Sequence, residues 1–251
     1  MIVSRMTRDR LATRIQAQID APASKRTYVR SLFGRIARRY DLTNDLMSAG
    51  RHRAWKRLAV DLAGIEPHHV VLDLAAGTGD FAIRAAKQDG PRLVIAADLT
   101  WEMMAAGKAR SGAPDVQWVQ CDATYLPFSD GSVDRVLVGY GLRNFPDLNR
   151  CIGEIRRCLV PGGRLVSLDF GRAEPQWLHR WYLRYLDLST SAAGRVLHGD
   201  VESYRYIPES LRQYPAQRGV TEMMQRNGFV RCGHIDLVFG AMAINFGQAP
   251  G

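Results

Sequence analysis

The alternation of strand-like and helix-like segments from Val70 onward constrains the fold of this chain more than any other feature. Short apolar runs predict strands, and amphipathic runs between them predict helices. The predicted strands are residues 70–74, 93–97, 116–121, 136–140 and 164–169, and the predicted helices between them are 80–88, 101–110 and 147–159. Such alternation is typical of a doubly wound, mostly parallel sheet covered by helices on both faces.

The two ends of the chain depart from this alternation. Residues 1–30 are predicted to be a basic arm, and residues 31–251 a single domain. Within that domain, 31–66 predicts a helical cap and the aromatic-rich segment 171–214 predicts a helical insertion. A last helix at 217–226 precedes strand-like runs at 229–238 and 241–246, whose short link requires an antiparallel pair. The predicted fold class is therefore α/β, ending in an antiparallel hairpin.

A tight glycine turn follows the first predicted strand in the segment VVLDLAAGTGDFA. Gly77 and Gly79 let the backbone turn sharply and approach a ligand, and the free N–H groups of the helix beginning near Asp80 favour an anion. The spacing Gly77-x-Gly79-x-x-Ala82 satisfies a dinucleotide pattern, with Asp98 placed to hold a ribose. The turn alone therefore leaves open both a nicotinamide dinucleotide and S-adenosylmethionine.

Two further acids favour S-adenosylmethionine. Asp73, inside the first strand, can order the glycine turn and receive the ammonium group of the cofactor, whereas its charge would repel a pyrophosphate. Asp122 ends the third strand, where it can accept from an adenine amino group while the Ala123 N–H donates to the ring. Together with Asp98 and the terminal hairpin, these features resemble the class I methyltransferase fold, whose ligands bind at the carboxyl ends of the strands.

Six ordered blocks, spread over residues 33–246, carry a closer resemblance. They are FGRIARRYDLTNDLMSAGRHRAWKR, VLDLAAGTGD, DATYLPF, GYGLRNFPD, LVPGGRLVSLDF and ESYRYIPESLRQYP. The chain resembles the quinone-ring C-methyltransferases, the demethylmenaquinone methyltransferase and 2-methoxy-6-polyprenyl-1,4-benzoquinol methylase family. The resemblance implies cofactor contacts at Thr78, Asp98, Asp122 and Ala123, and Leu99, next to Asp98, is a further candidate for cofactor binding. Members often have serine where this chain has Gly139, so Gly139 would offer the cofactor only backbone contacts.

The resemblance also implies the reaction, which is methylation of a ring carbon beside a hydroxyl on a reduced, prenylated naphthoquinol or benzoquinol. The ring carbon becomes a good nucleophile when the neighbouring hydroxyl loses its proton. Arg143 and Asn144 follow a strand end on the cofactor side, where a guanidinium can stabilise the phenolate. Tyr40 can donate to or relay through a water. The predicted aromatic surface for the quinol consists of Trp181, Tyr182, Tyr185, Tyr204 and Tyr206.

The positive charge of the chain is concentrated at one end. The formal net charge is +9, and residues 1–57 hold 14 Lys or Arg against four Asp. Such a segment is attracted to an anionic membrane face or a nucleic acid. The sequence shows no apolar run of membrane-spanning length, no secretory signal, no paired cysteine motif and no metal-ligand spacing. We therefore expect a cytoplasmic protein without a metal, peripheral to the inner membrane face.

Several alternatives remain open from the residues themselves. The chain could methylate another small aromatic or polyketide substrate, because class I folds accept many acceptors. A nicotinamide oxidoreductase is disfavoured by Asp73 and Asp122, and a nucleic-acid binder by the lack of a recognisable binding module. The predicted partners are a prenylated quinol, an anionic membrane and a second copy of the chain. The choice between naphthoquinol and benzoquinol does not follow from the sequence.

Overall fold

The computed structural model describes residues 2–37, 50–88, 90–109, 116–193 and 201–251, with side chains for 11–37, 50–88, 90–109, 116–186 and 205–251. Its centre is a seven-stranded sheet in the order β3-β2-β1-β4-β5-β7-β6. The strands are β1 Val70–Leu74, β2 Leu93–Asp98, β3 Val116–Gln120, β4 Val133–Gly139, β5 Leu159–Phe170, β6 Val230–Leu237 and β7 Met242–Gln248. Strands β1 to β5 pair in parallel, and β7 lies antiparallel between β5 and β6.

Nine α-helices are described around this sheet. They are α1 Ile2–Ile19, α2 Pro22–Ile36, α3 His52–Ala63, α4 Asp80–Ala86, α5 Trp101–Lys108, α6 Leu148–Cys158, α7 Gln176–Ala193, α8 Val201–Gln213 and α9 Ala216–Arg226. A short 3-10 helix, Leu142–Asn144, follows β4. The side chain of Asp147 caps α6 by accepting from the Arg150 N–H at 3.0 Å, and this cap fixes where the helix begins.

Each face of the sheet carries its own apolar core. On one face, Leu72 and Val138 pack with Ile152 and Ile155 of α6. On the other face, α3 and α4 pack against Val71, Leu137 and Val166. All five residues of β1 are buried, as expected for a central parallel strand covered on both sides.

A third apolar cluster joins the amino-terminal helices to α8. It contains Ile15 and Ile19 of α1, Leu32 of α2 and Tyr206 of α8. The Gln16 amide of α1 also donates to the Glu209 carboxylate of α8 at 2.8 Å. The predicted boundary of the basic arm at residue 30 falls inside α2, so the described part of this segment packs on the domain through its apolar side chains.

The predicted fold class is confirmed, with shifts of a few residues at the ends of elements. The largest shift is in β5, which begins at Leu159 rather than at residue 164, because Leu159 pairs with Val133 and residues 160–163 lie in a register shift before Arg164 pairs with Arg135. The four cysteine thiols are free. None of the helices in the described part of the chain is long and apolar enough to span a membrane.

Candidate active site

A cleft opens at the carboxyl ends of β1 to β4, with a volume of about 700 Å³ including its open mouth. Its wall includes seven of the predicted site residues: Gly77, Asp98, Leu99, Asp122, Ala123, Gly139 and Asn144. Helix α2 covers one side of the cleft with Arg26, Val29 and Phe33. The strand ends and the segments that follow them supply most of the cleft wall, and the cap helix adds one charged and two apolar side chains.

The glycine turn adopts the sharp conformation expected of it. Gly77 and Gly79 have φ angles of 56° and 76°, in the left-handed region that suits glycine. The Gly77 N–H donates to Asp98 Oδ2 at 2.8 Å, so an acid at the end of β2 holds the turn that follows β1. Thr78, between the two glycines, is buried.

Asp73 lies beneath the turn, behind the wall of the cleft. Its Oδ2 accepts from the Ala82 N–H in the first turns of α4 at 2.8 Å. Its Oδ1 is buried and has no hydrogen-bond partner among the described residues. Burial raises the pKa of this carboxyl to about 8, although the Ala82 hydrogen bond opposes the shift. Asp73 thus orders the turn and also leaves one buried oxygen for a donor.

Asp98 and Asp122 face the cleft from neighbouring strand ends. The second Asp98 oxygen, Oδ1, accepts from the Thr100 N–H at 2.7 Å, and burial raises the pKa of Asp98 against the effect of these hydrogen bonds. Asp122 Oδ1 accepts from the Thr124 N–H and hydroxyl, and its Oδ2 pairs with Arg26 Nε at 2.7 Å. Each carboxylate oxygen has two lone pairs, so both acids can accept further donors.

Arg143 and Asn144 lie in the 3-10 helix after β4. Arg143 is buried, and its Nη1 donates to Asp169 Oδ1 at 2.8 Å and to the Tyr140 carbonyl at 2.7 Å. Asn144 lines the cleft, donates to the same carbonyl and accepts from the Tyr206 hydroxyl at 2.9 Å. Arg143 therefore lies directly behind the cleft wall, with its charge held in one place.

The presence of glycine at position 139, where members of the family often have serine, has a steric explanation. A Cβ atom at this position would overlap the Phe81 ring of α4. The large aromatic side chain on α4 therefore requires glycine at the end of β4. A serine at this position could not be accommodated unless Phe81 moved or became smaller.

The structure separates the predicted residues into those in the cleft wall and those behind it. Seven form part of the wall, whereas Asp73, Thr78, Gly79 and Arg143 lie behind it in the described residues. Tyr40 lies outside the described residues, as does the side chain of Tyr204. Among the other predicted aromatics, Tyr206 is buried, Tyr182 is half-buried, and Trp181 and Tyr185 are exposed.

Three charged residues at the site were missed by sequence reasoning. Asp169 at the end of β5 pairs with Arg143, and an acid at a strand's carboxyl end is the same signal that identified Asp98 and Asp122. Arg26 was assigned only to a basic segment. Lys56 of α3 is buried, and its Nζ lies 2.5 Å from Asp80 Oδ2, which ties α3 to the helix that follows the glycine turn.

Solved structures with the same fold define the class of protein. The chain superposes on a SAM-dependent methyltransferase from Thermotoga maritima with a TM-score of 0.64 at 17% identity, covering 88% of this chain and 99% of that one. It also matches phosphoethanolamine N-methyltransferase 2 of Haemonchus contortus, solved with S-adenosyl-L-methionine, with a TM-score of 0.56 at 16% identity over 78% of this chain and 52% of that one. The fold is that of a class I methyltransferase.

Sequence comparisons then give the family. Residues 22–249 match the model of the ubiE/COQ5 methyltransferase family. A protein of Methylococcus capsulatus named ubiquinone/menaquinone biosynthesis C-methyltransferase UbiE is 40% identical over 89% of this chain and 92% of its own length. A protein of the same name from Pseudomonas putida is 37% identical over 92% of this chain and 93% of its own length.

The chain belongs to the ubiE/COQ5 methyltransferase family. It is an S-adenosylmethionine-dependent C-methyltransferase, which confirms the predicted enzyme class and cofactor. The nicotinamide alternative is thereby resolved in favour of S-adenosylmethionine.

Proposed function

We propose that this chain methylates a ring carbon of a reduced, prenylated quinol, the kind of substrate that the names of its relatives indicate. The proposal rests on the position of Asn144 in the cleft wall next to the buried cation of Arg143, which donates to the same Tyr140 carbonyl as Asn144 does. A fixed positive charge beside the cleft suits a substrate that must become a phenolate.

The residues of the cleft fit the cofactor. Asp98 suits the two ribose hydroxyls and Asp122 suits an adenine amino group, because carboxylates accept from such donors. The unpartnered Oδ1 of Asp73 points to an ammonium group or a bridging water beneath the glycine turn. When bound, S-adenosylmethionine supplies an electrophilic methyl group on a sulfonium centre.

We infer that Arg143 activates the quinol. Its charge lowers the pKa of a nearby phenol, and removal of the phenol proton raises electron density on the adjacent ring carbon. Asp169 fixes the guanidinium and offsets part of its charge, since the two groups are 2.8 Å apart. Asn144, bonded to the Tyr140 carbonyl and the Tyr206 hydroxyl, holds the wall beside the reacting carbon.

The cap provides the dry, aligned environment that methyl transfer needs. Val29 and Phe33 of α2 line the cleft together with Met103 of α5 and Phe145. Apolar side chains here exclude water and keep the acceptor carbon close to the methyl group. The substrate's prenyl tail would also bring the protein to the cytoplasmic face of a membrane.

The test is transfer of labelled methyl from S-adenosylmethionine to chemically reduced demethylmenaquinol and, separately, to the demethyl benzoquinol precursor. We expect label in at least one product, and an Arg143→Ala variant with turnover lower by about 100-fold or more at saturating quinol. Arg226→Ala is the matched control, since Arg226 pairs with Glu222 on the exposed face of α9. Label in neither quinol by a protein that binds the cofactor would refute the substrate assignment, and full turnover by Arg143→Ala would refute the role of Arg143.

A further inference from the structure

Helix α7 presents a row of large aromatic side chains to solvent. Trp177, Trp181 and Tyr185 are 63%, 66% and 46% exposed. They are spaced four residues apart, so they lie along one side of the helix. Exposed tryptophans grouped in this way mark interaction surfaces rather than ordinary solvent-facing positions.

Two arginines share this side of the helix. Arg180 and Arg184 are exposed and lie three residues after Trp177 and Trp181, respectively. The opposite side of α7 carries Leu186, which is buried. We call the set of Trp177, Arg180, Trp181, Arg184 and Tyr185 the α7 face.

The turn between β6 and β7 extends the α7 face. Phe239 in this turn is 77% exposed, and its neighbour Val238 is also exposed. The Phe239 carbonyl accepts from the Glu174 N–H at 3.0 Å, which fixes the turn beside the beginning of α7. Two separate parts of the chain therefore place apolar side chains on the same region of the surface.

The same region adjoins the proposed quinol site. Helix α7 packs along α8. From α8, the Tyr206 hydroxyl reaches Asn144 in the cleft wall. A partner bound to the α7 face would thus lie on the outer side of a helix pair whose inner member, α8, contacts the cleft wall.

We propose that the α7 face docks the protein onto the surface of an anionic phospholipid bilayer. This inference rests on the proposed function, because a prenylated quinol resides in the bilayer and must reach the cleft from it. Tryptophan and tyrosine favour the interface between lipid and water, and arginines beside them pair with lipid phosphates. A twofold contact between two copies would bring Arg180 and Arg184 of both copies together, which like-charge repulsion disfavours.

The test is flotation of the full chain with vesicles of phosphatidylcholine alone and of phosphatidylcholine with phosphatidylglycerol. We expect binding to the anionic vesicles, and a Trp177→Gln/Trp181→Gln variant that binds them about tenfold more weakly or worse. Trp101→Gln is the matched control, since Trp101 is also exposed but lies on α5. Cofactor affinity and thermal unfolding of the variants, measured alongside, show that they remain folded.

A second pair of variants separates the α7 face from the basic amino terminus. Arg180→Glu/Arg184→Glu should lose binding to anionic vesicles, whereas Arg14→Glu/Arg30→Glu, which reverses two exposed charges on α1 and α2, should lose much less. The reverse ranking would overturn the proposal in favour of the amino-terminal helices. If Trp177→Gln/Trp181→Gln instead dissociates a dimer and still binds vesicles, the α7 face is a contact between two copies of the chain and the proposal is wrong.

Activity assays keep this proposal distinct from the proposed function. The tryptophan variant should methylate a short-chain quinol in solution at the wild-type rate but lose activity on a long-chain quinol embedded in vesicles. Failure of the wild-type protein on both quinols would count against the proposed function. Equal activity of variant and wild type on the embedded quinol would count against the α7 face alone.

Discussion

Arg26 of the cap helix α2 pairs with Asp122 at the end of β3, with Nε and Oδ2 2.7 Å apart. The same guanidinium donates to the Thr124 hydroxyl at 3.3 Å through Nη2. The cap is therefore joined to the acid that the proposed function assigns to the adenine amino group. When the cofactor enters, either Asp122 Oδ2 accepts from both Arg26 and the adenine amino group, or the Arg26 side chain moves away.

Asp122→Asn is expected to weaken S-adenosylmethionine binding by about 10- to 100-fold, because a hydrogen bond to a charged acceptor contributes about 1.5–3 kcal/mol. Isothermal titration calorimetry measures the change. Asp130→Asn serves as the control, since Asp130 is also paired with an arginine but lies on the surface, and it should leave affinity unchanged. Wild-type affinity in Asp122→Asn would remove Asp122 from the adenine site.

Arg26→Gln is expected to act on rates rather than on affinity. The pair is partly exposed, so it contributes at most about 1 kcal/mol, and the dissociation constant should change by less than about fivefold. Loss of the contact between α2 and β3 should let the cofactor leave faster. Stopped-flow displacement measures this rate, and an unchanged rate would mean that the cap does not control access.

Gly139→Ser is expected to destabilise the fold by about 1–3 kcal/mol, because the new side chain must displace the Phe81 ring. The double variant Gly139→Ser/Phe81→Leu should recover most of that loss, since a smaller residue on α4 makes room. Urea unfolding of the wild type, both single variants and the double variant measures the coupling. Gly34→Ser is the control, because an added Cβ there makes only ordinary van der Waals contact with the Glu102 side chain, at 3.6 Å. If the changes in unfolding free energy of the two single variants simply add in the double variant, steric overlap between residue 139 and Phe81 is not the cause of the destabilisation.

Asp73 should make stability depend on pH. Its pKa is raised from 3.8 to about 8 by burial, so the folded protein holds a proton that the unfolded chain releases between these values. Stability contributed by this group is therefore complete below about pH 4 and is lost as pH rises toward 8. Asp73→Asn, which cannot ionise, should gain stability relative to the wild type between pH 5 and pH 8. Urea unfolding measures the difference in unfolding free energy between the variant and the wild type. A difference that stays constant from pH 5 to pH 8 would show that Asp73 is ionised throughout that range.

Asp169→Asn is expected to destabilise the protein by about 3 kcal/mol, because it leaves the buried Arg143 charge without a counter-charge. Turnover should fall by about tenfold or more, since Arg143 is no longer held beside the cleft. Chemical unfolding and kcat at saturating cofactor measure the two effects. Asp130→Asn, at the exposed end of its own ion pair, should change stability by less than about 1 kcal/mol. A stable but inactive Asp169→Asn variant would assign Asp169 a role beyond positioning.

The order of strands and helices could be predicted because hydrophobic periodicity is a local property of the chain. The same holds for Asp98 and Asp122, since Asp98 ends β2 and Asp122 comes two residues after the end of β3. The cap could not be placed in this way. Arg26 reaches Asp122 from nearly a hundred residues away, and the apolar spacing of Val29 and Phe33 does not reveal that α2 lies over the cleft. The need for Gly139 likewise depends on a ring from another element.

The position of the transferred methyl group decides whether the enzyme methylates carbon. The protein would be given S-adenosylmethionine with a ¹³C-labelled methyl group and a chemically reduced demethyl quinol, and the product examined by NMR. We expect the resonance of a methyl group bonded to a ring carbon, with both quinol oxygens unmethylated. A methoxy resonance would contradict this expectation, because the methyl would then have gone to oxygen.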